Sequence, residues 1–110
     1  MTAVLVLIPR GVTPPLLPEG AMFVPFQTAF DAVISLRASD APAVLVTDGL
    51  DAEDLDSLAA ALRERSGPCV EVRLAAWDGE THSAVSGVCR GVISGFGQNG
   101  IKRAIDYLSK

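Results

Sequence analysis

The sequence predicts an α/β fold built on a parallel sheet. Short, almost wholly apolar runs alternate with segments of helical periodicity along the chain. The runs carry few polar residues, as strands buried on both faces do, and turn residues punctuate every junction. The 110 residues amount to one domain, 1–110, and a chain of this size buries about 65% of its unfolded surface.

"AVLVLI" (residues 3–8) is the first strand. "GVTPPLLPEG" follows, and its prolines forbid a helix there, so the first crossover helix is missing. "MFVPF" (22–26) reads as an edge strand, because Pro25 cannot donate to a ladder. Thr28 and Asp31 then form a capping box. They open a helix to about Arg37 whose apolar face is expected to be Phe30, Val33 and Ile34. "AVLVT" (43–47) is the third strand.

Asp51 is expected to cap the clearest helix, with Glu53 and Asp54 at its positive end and Arg63 and Arg65 near its negative end. Leu55, Leu58, Ala59 and Leu62 recur at i, i+3, i+4 and i+7, and Gly67 lies just past the end. "CVEVRLA" (69–75) and "CRGVIS" (89–94) supply strands four and five. Ile101, Ala104, Ile105 and Leu108 line one face of a closing helix. The outline is flavodoxin-like: a five-stranded parallel sheet with helices on both faces. The helices after strands two and three share one face. The last helix is left nearly alone on the other, an under-covered face expected to be closed by a second subunit.

Composition excludes several functions. A net charge of −4 argues against a nucleic-acid or anionic-membrane surface. No apolar run nears the ~18 residues of a membrane span, and "MTAVLVLIP" lacks the basic flank of a signal peptide. The apolar share of 49% and mean hydropathy of +0.36 are high for a small monomer, in keeping with a homo-oligomer. Cys69 and Cys89 have no metal-ligand or redox spacing and read as reduced thiols of a cytoplasmic protein. No cofactor or metal is expected.

Four features bear on chemistry. "GFGQNG" (95–100) has the G-x-G-x-x-G spelling of a dinucleotide turn but follows the last strand, and the chain lacks the acid that a ribose needs ~20 residues further on. Its glycines read as a tight turn and a close helix contact. His82 is the only histidine, a solvated or turn-capping residue more readily than a base. Asp48, Asp51, Glu53, Asp54 and Asp56 cluster after strand three, where a ligand crevice would lie, though helix capping explains most of them. Glu71 stands within an apolar strand, where a lone carboxylate is costly. Arg73, two residues on, shares its side of the sheet and reads either as its ion-pair partner or as part of a ligand-facing pair.

"PCVEVRLAAW…HSAVSGVCRGVISGFGQNGIKRAIDYL" resembles the C-terminal half of the type II 3-dehydroquinate dehydratases. Glu71, His82, Ser83, Gly91, Gly95, Gly97 and Gly100 match that family's pattern, and residues 43–74 align with it without gaps. The resemblance implies a trimer-based assembly, the shikimate pathway and aromatic amino acid biosynthesis. It also implies a site from which much is missing. The tyrosine base and arginine that follow the family's first strand have no counterpart beyond Arg10, and Asn-Gly-Pro-Asn becomes Ile8-Pro9-Arg10-Gly11. Thr47 replaces an asparagine, Arg73 the acid histidine, Ala75-Ala76 a Ser-Asn pair, and Glu80 an arginine. Each placed acid or base contributes ~10²–10⁴ in rate, and arginine stays protonated at neutral pH.

The expectation is therefore a pseudoenzyme of dehydroquinase type, with no catalytic residues. Its role would be in assembly or in holding a small carboxylate. Thr47, Glu71, Arg73, Leu74, Ala75 and His82 are the candidate binding residues, with the backbone N–H groups of residues 74–77 expected to hold the carboxylate beside Arg73. The rival readings are an enzyme of altered chemistry on a related carboxylate, and a true dehydratase completed by another subunit.

Overall fold

The computed structural model describes residues 3–75 and 84–109. Among these residues five strands form one parallel sheet in the order β2-β1-β3-β4-β5. They are β1 (Val4–Pro9), β2 (Ala21–Phe26), β3 (Ala43–Val46), β4 (Cys69–Arg73) and β5 (Gly91–Ser94). The same residues form the helices α1 (Ala29–Arg37), α2 (Ala52–Glu64) and α3 (Asn99–Leu108). Connections running both ways from β1 make the gap between β1 and β3 the switch point of the sheet. The fifth strand is shorter than its sequence suggested, with Cys89 and Arg90 lying before it.

Strand alternation splits the core into two layers. Leu5, Leu7 and Leu45 pack with α1, α2 and the 84–89 segment. Val4, Val6, Ile8, Val44, Val46, Val70 and Val72 pack with Ile101, Ala104 and Ile105 of α3. The second layer corrects the expectation of an under-covered face. Its β1 and β3 valines are at most 1% exposed within the single chain. Val12 and Leu17 of the proline-rich segment pack there beside α3, so irregular backbone takes the place of the missing crossover helix.

The face of α1 is a second correction. Ala29, Ala32 and Leu36 are buried and Val33 partly so, whereas Phe30 and Ile34 are 70% and 53% exposed. Alanines let the helix backbone approach the sheet, which turns the two bulky residues outward. The capping box forms as expected: Asp31 N–H donates to Thr28 Oγ1 and Thr28 N–H to Asp31 Oδ2, both at 3.3 Å. Asp51 Oδ1 caps α2 by accepting from Asp54 N–H at 2.8 Å.

Arg65 does more than complement the α2 dipole. Its guanidinium donates to the carbonyls of Leu36, Ser39 and Ala41, binding the end of α1 to the end of α2. Gly67 is a spacing residue rather than a left-handed cap, since a Cβ there would overlap the Asp40 carbonyl. In the glycine-rich turn, Gly95 and Gly97 take φ of 83° and 55°, the left-handed region that glycine favours. A Cβ at Gly100 would meet Val72 Cγ1 at 3.3 Å, so its lack of a side chain seats α3 against the sheet.

Candidate functional site

The carboxyl ends of β3 and β4 lie side by side next to the switch point, where ligands of open α/β sheets bind. Thr47, just past β3, lies two residues beyond Leu45, and Leu45 pairs with Glu71 on β4. Both Thr47 and Glu71 therefore face the α1–α2 side. The 84–89 segment folds over the same place, with Val85 fully buried among the core residues.

Glu71 is wholly buried and satisfied by three donors. Its Oε2 accepts from Thr47 Oγ1 at 2.6 Å and from Arg73 Nε at 3.3 Å, and its Oε1 accepts from Ser86 Oγ at 2.6 Å. Burial of a carboxylate is tolerable only with such partners, because desolvation otherwise outweighs the gain from packing. Of the two readings of Arg73, the ion pair with Glu71 is present, and the Arg73 side chain remains 17% exposed. Arg73, Ser86, Val92 and Ser94 line a cavity of about 200 Å³ beside it.

A second constellation lies at the same strand ends. Leu74 N–H donates to Asp48 Oδ1 at 2.7 Å and Ala75 N–H donates to Asp48 Oδ2 at 3.2 Å. Two of the N–H groups expected to serve a ligand thus hold a carboxylate of the chain itself. Asp48 takes no part in capping α2, which falls to Asp51. Of the residues singled out from the sequence, Thr47, Glu71 and Arg73 converge. Leu74 and Ala75 lie beside them, and His82 falls outside the described residues. Ser86 and the role of Asp48 went unread. The available signal for Asp48 was an acid directly after a parallel strand, facing the neighbouring strand's exit.

Cys69, buried in β4, and Cys89 are both free thiols. A hydrogen bond with Cys69, then burial, pushes the Cys89 thiol far above its ordinary range. The Cys89 sulfur therefore lacks the thiolate character that a nucleophile needs. Among the described residues no group of three or more His, Cys, Asp or Glu could hold a metal, and no helix is long and apolar enough to cross a membrane.

The chemical capacity of these groups is narrow. Glu71 is shut off from solvent and spends its acceptor sites on Thr47, Ser86 and Arg73. Arg73 attracts anions but does not exchange protons at neutral pH. Thr47 and Ser86 direct their protons to Glu71. The arrangement suits electrostatic holding of an anion better than proton transfer.

No family model matches this sequence, and neither does any curated protein sequence. The fold has clear counterparts among solved structures. A type II dehydroquinase from Propionibacterium acnes superposes with a TM-score of 0.80 at 17% identity, over 99% of this chain and 98% of that one. A 3-dehydroquinate dehydratase-like protein from Bifidobacterium longum gives 0.68 at 18% identity, over 99% and 96%. At these identities the likeness establishes a shared fold, the type II dehydroquinase form of the flavodoxin-like architecture.

Proposed function

We propose that this chain is a non-catalytic relative of the type II dehydroquinases, a cytoplasmic binding protein whose ligand is a small carboxylate held by Arg73. The observation that carries the reading is the closed network around Glu71. Glu71, the one wholly buried acid among the described residues, is bound by Thr47, Ser86 and Arg73. The position where the resembled family places its general acid carries Arg73. A dehydration needs one group to take a proton and another to give one. A guanidinium is a poor proton donor at neutral pH, and a carboxylate sealed in the core and holding three donors is poorly placed to take a proton.

Arg73 supports the binding half of the reading. It lines a cavity with Ser86, Val92 and Ser94, wide enough for a small acid. An arginine beside hydroxyl groups recognises carboxylates by charge and by N–H donation. Self-association belongs to the same proposal. Phe30 and Ile34 on α1, and Met22 and Phe23 on edge strand β2, are exposed apolar side chains. A second copy covering them would account for the high apolar fraction.

The test combines two assays on the pure protein. Incubation with dehydroquinate should give no rise in the ultraviolet absorbance of the conjugated product. Titration calorimetry with dehydroquinate, quinate and shikimate should give heat for at least one acid, lost in Arg73→Met. Turnover in the range of ordinary enzymes, ~1 s⁻¹ or more, would refute the non-catalytic reading. An absence of heat with all three acids would refute the binding reading.

A further inference from the structure

The geometry points to a built-in anion seat at the exit of β4, formed by the successive N–H groups of Leu74 and Ala75 and filled from within the chain by Asp48. Two adjacent backbone N–H groups aimed at one point make an anion-binding concavity. Here each meets a different oxygen of one carboxylate, at 2.7 and 3.2 Å. The contact spans 26 and 27 residues of sequence, so it joins the exits of two neighbouring strands and is no local turn. Arg73 immediately precedes the seat in sequence and adds positive charge to this end of β4.

The seat lies at the carboxyl ends of the strands, where this class of sheet receives ligands. Asp48 is only partly buried, so the place it fills is reachable from solvent. A tethered carboxylate has a high effective concentration and pays little ordering entropy to stay in place. A free monocarboxylate therefore does not compete with it at ordinary concentrations. The chain thus resembles a protein with a carboxylate already bound. In the wild type this seat is closed, and external acids are left with the separate cavity beside Arg73. This inference stands whether or not that cavity binds anything.

Chemical rescue tests it. Asp48→Ala empties the seat while leaving both N–H groups in place. Sodium acetate, set against sodium chloride at equal ionic strength, is the probe. In Asp48→Ala, acetate should shift the Leu74 and Ala75 amide resonances saturably and raise Tm with concentration, as binding to the native state does. Wild-type protein should show neither effect.

Asp48→Asn preserves the shape and guards against a misfolded alanine variant. Its Leu74 and Ala75 amide protons should move upfield for want of a charged acceptor, with no response to acetate. Acetate-indifferent amides in a folded Asp48→Ala, or Leu74 and Ala75 amides unmoved in Asp48→Asn, overturn the inference. Dehydratase turnover, or calorimetric silence with the three acids, would overturn the proposed function and leave the seat standing.

Discussion

Thr47 Oγ1 donates to Glu71 Oε2 across 2.6 Å, joining the exit of β3 to the middle of β4 inside the buried core. The contact fixes the register of the strand exits and spares Glu71 part of the cost of its burial. Thr47→Val keeps the shape and removes the donor. A hydrogen bond to a charged group contributes about 1.5–3 kcal/mol, so urea unfolding should show a loss of that size with an unchanged m-value. Glu71→Gln paired with Thr47→Val should lose less than the sum of the single losses, because the two residues share one network. Strict additivity would show that the contact carries no energy of its own.

Arg65 makes a comparable junction far from the site. One guanidinium serves the carbonyls of Leu36, Ser39 and Ala41, with its shortest contacts at 2.6 Å to Ser39 and Ala41. Arg65→Met leaves these acceptors without their charged donor and should destabilise by about 2 kcal/mol in chemical denaturation. Arg65→Lys should recover only a part, since an ammonium cannot reproduce the planar fork. Full recovery by lysine would reduce the role of Arg65 to charge alone.

The layer plan was legible because it rests on simple periodicities. The uninterrupted apolar runs of β1 and β3 gave buried strands, and Thr28 and Asp51 gave helix starts at the residues where caps form. Glu71 and Arg73 were readable as a pair because strand alternation puts residues two apart on one side. The face of α1 was not. Periodicity ranks Phe30 and Ile34 above Ala29 and Ala32 for burial, but the distance between helix and sheet selects the alanines. Ser86 was hidden for another reason: its place over Glu71 depends on how the 84–89 segment folds back, and no spacing rule encodes that. Val12 and Leu17 likewise cover a sheet face from a segment whose prolines said only that it was not a helix.

The outward turn of Phe30 and Ile34 gives a prediction about association. Their removal from α1 should hardly touch stability, because exposed substitutions away from special features change it by about 0.5 kcal/mol at most. At concentrations too low for copies to associate, Phe30→Glu combined with Ile34→Lys should keep the wild-type Tm within a few degrees. If a second copy covers this helix, light scattering at micromolar concentration should find the wild type larger than one chain and the double variant monomeric. A monomeric wild type would remove self-association from the proposed function.

Cys89 supplies the pH dependence. Its thiol is held protonated, first by the Cys69 side chain and then by burial, so its folded-state pKa lies well above the unfolded value of about 8.5. The sign follows from linkage: above about pH 8.5 the unfolded chain loses this proton and the folded chain keeps it. The stabilisation is complete below that pH and declines as pH rises beyond it, by at most about 1.4 kcal/mol per pH unit for one proton. Denaturation midpoints should therefore fall more steeply between about pH 9 and 10 in the wild type than in Cys89→Ala, where the group is absent. Thiol-reagent kinetics check the same point from the other side. Cys89 should react with iodoacetamide far more slowly than a free cysteine at pH 9, and at the free rate once the protein is unfolded in urea. A steep alkaline loss retained in Cys89→Ala would assign that loss to other groups.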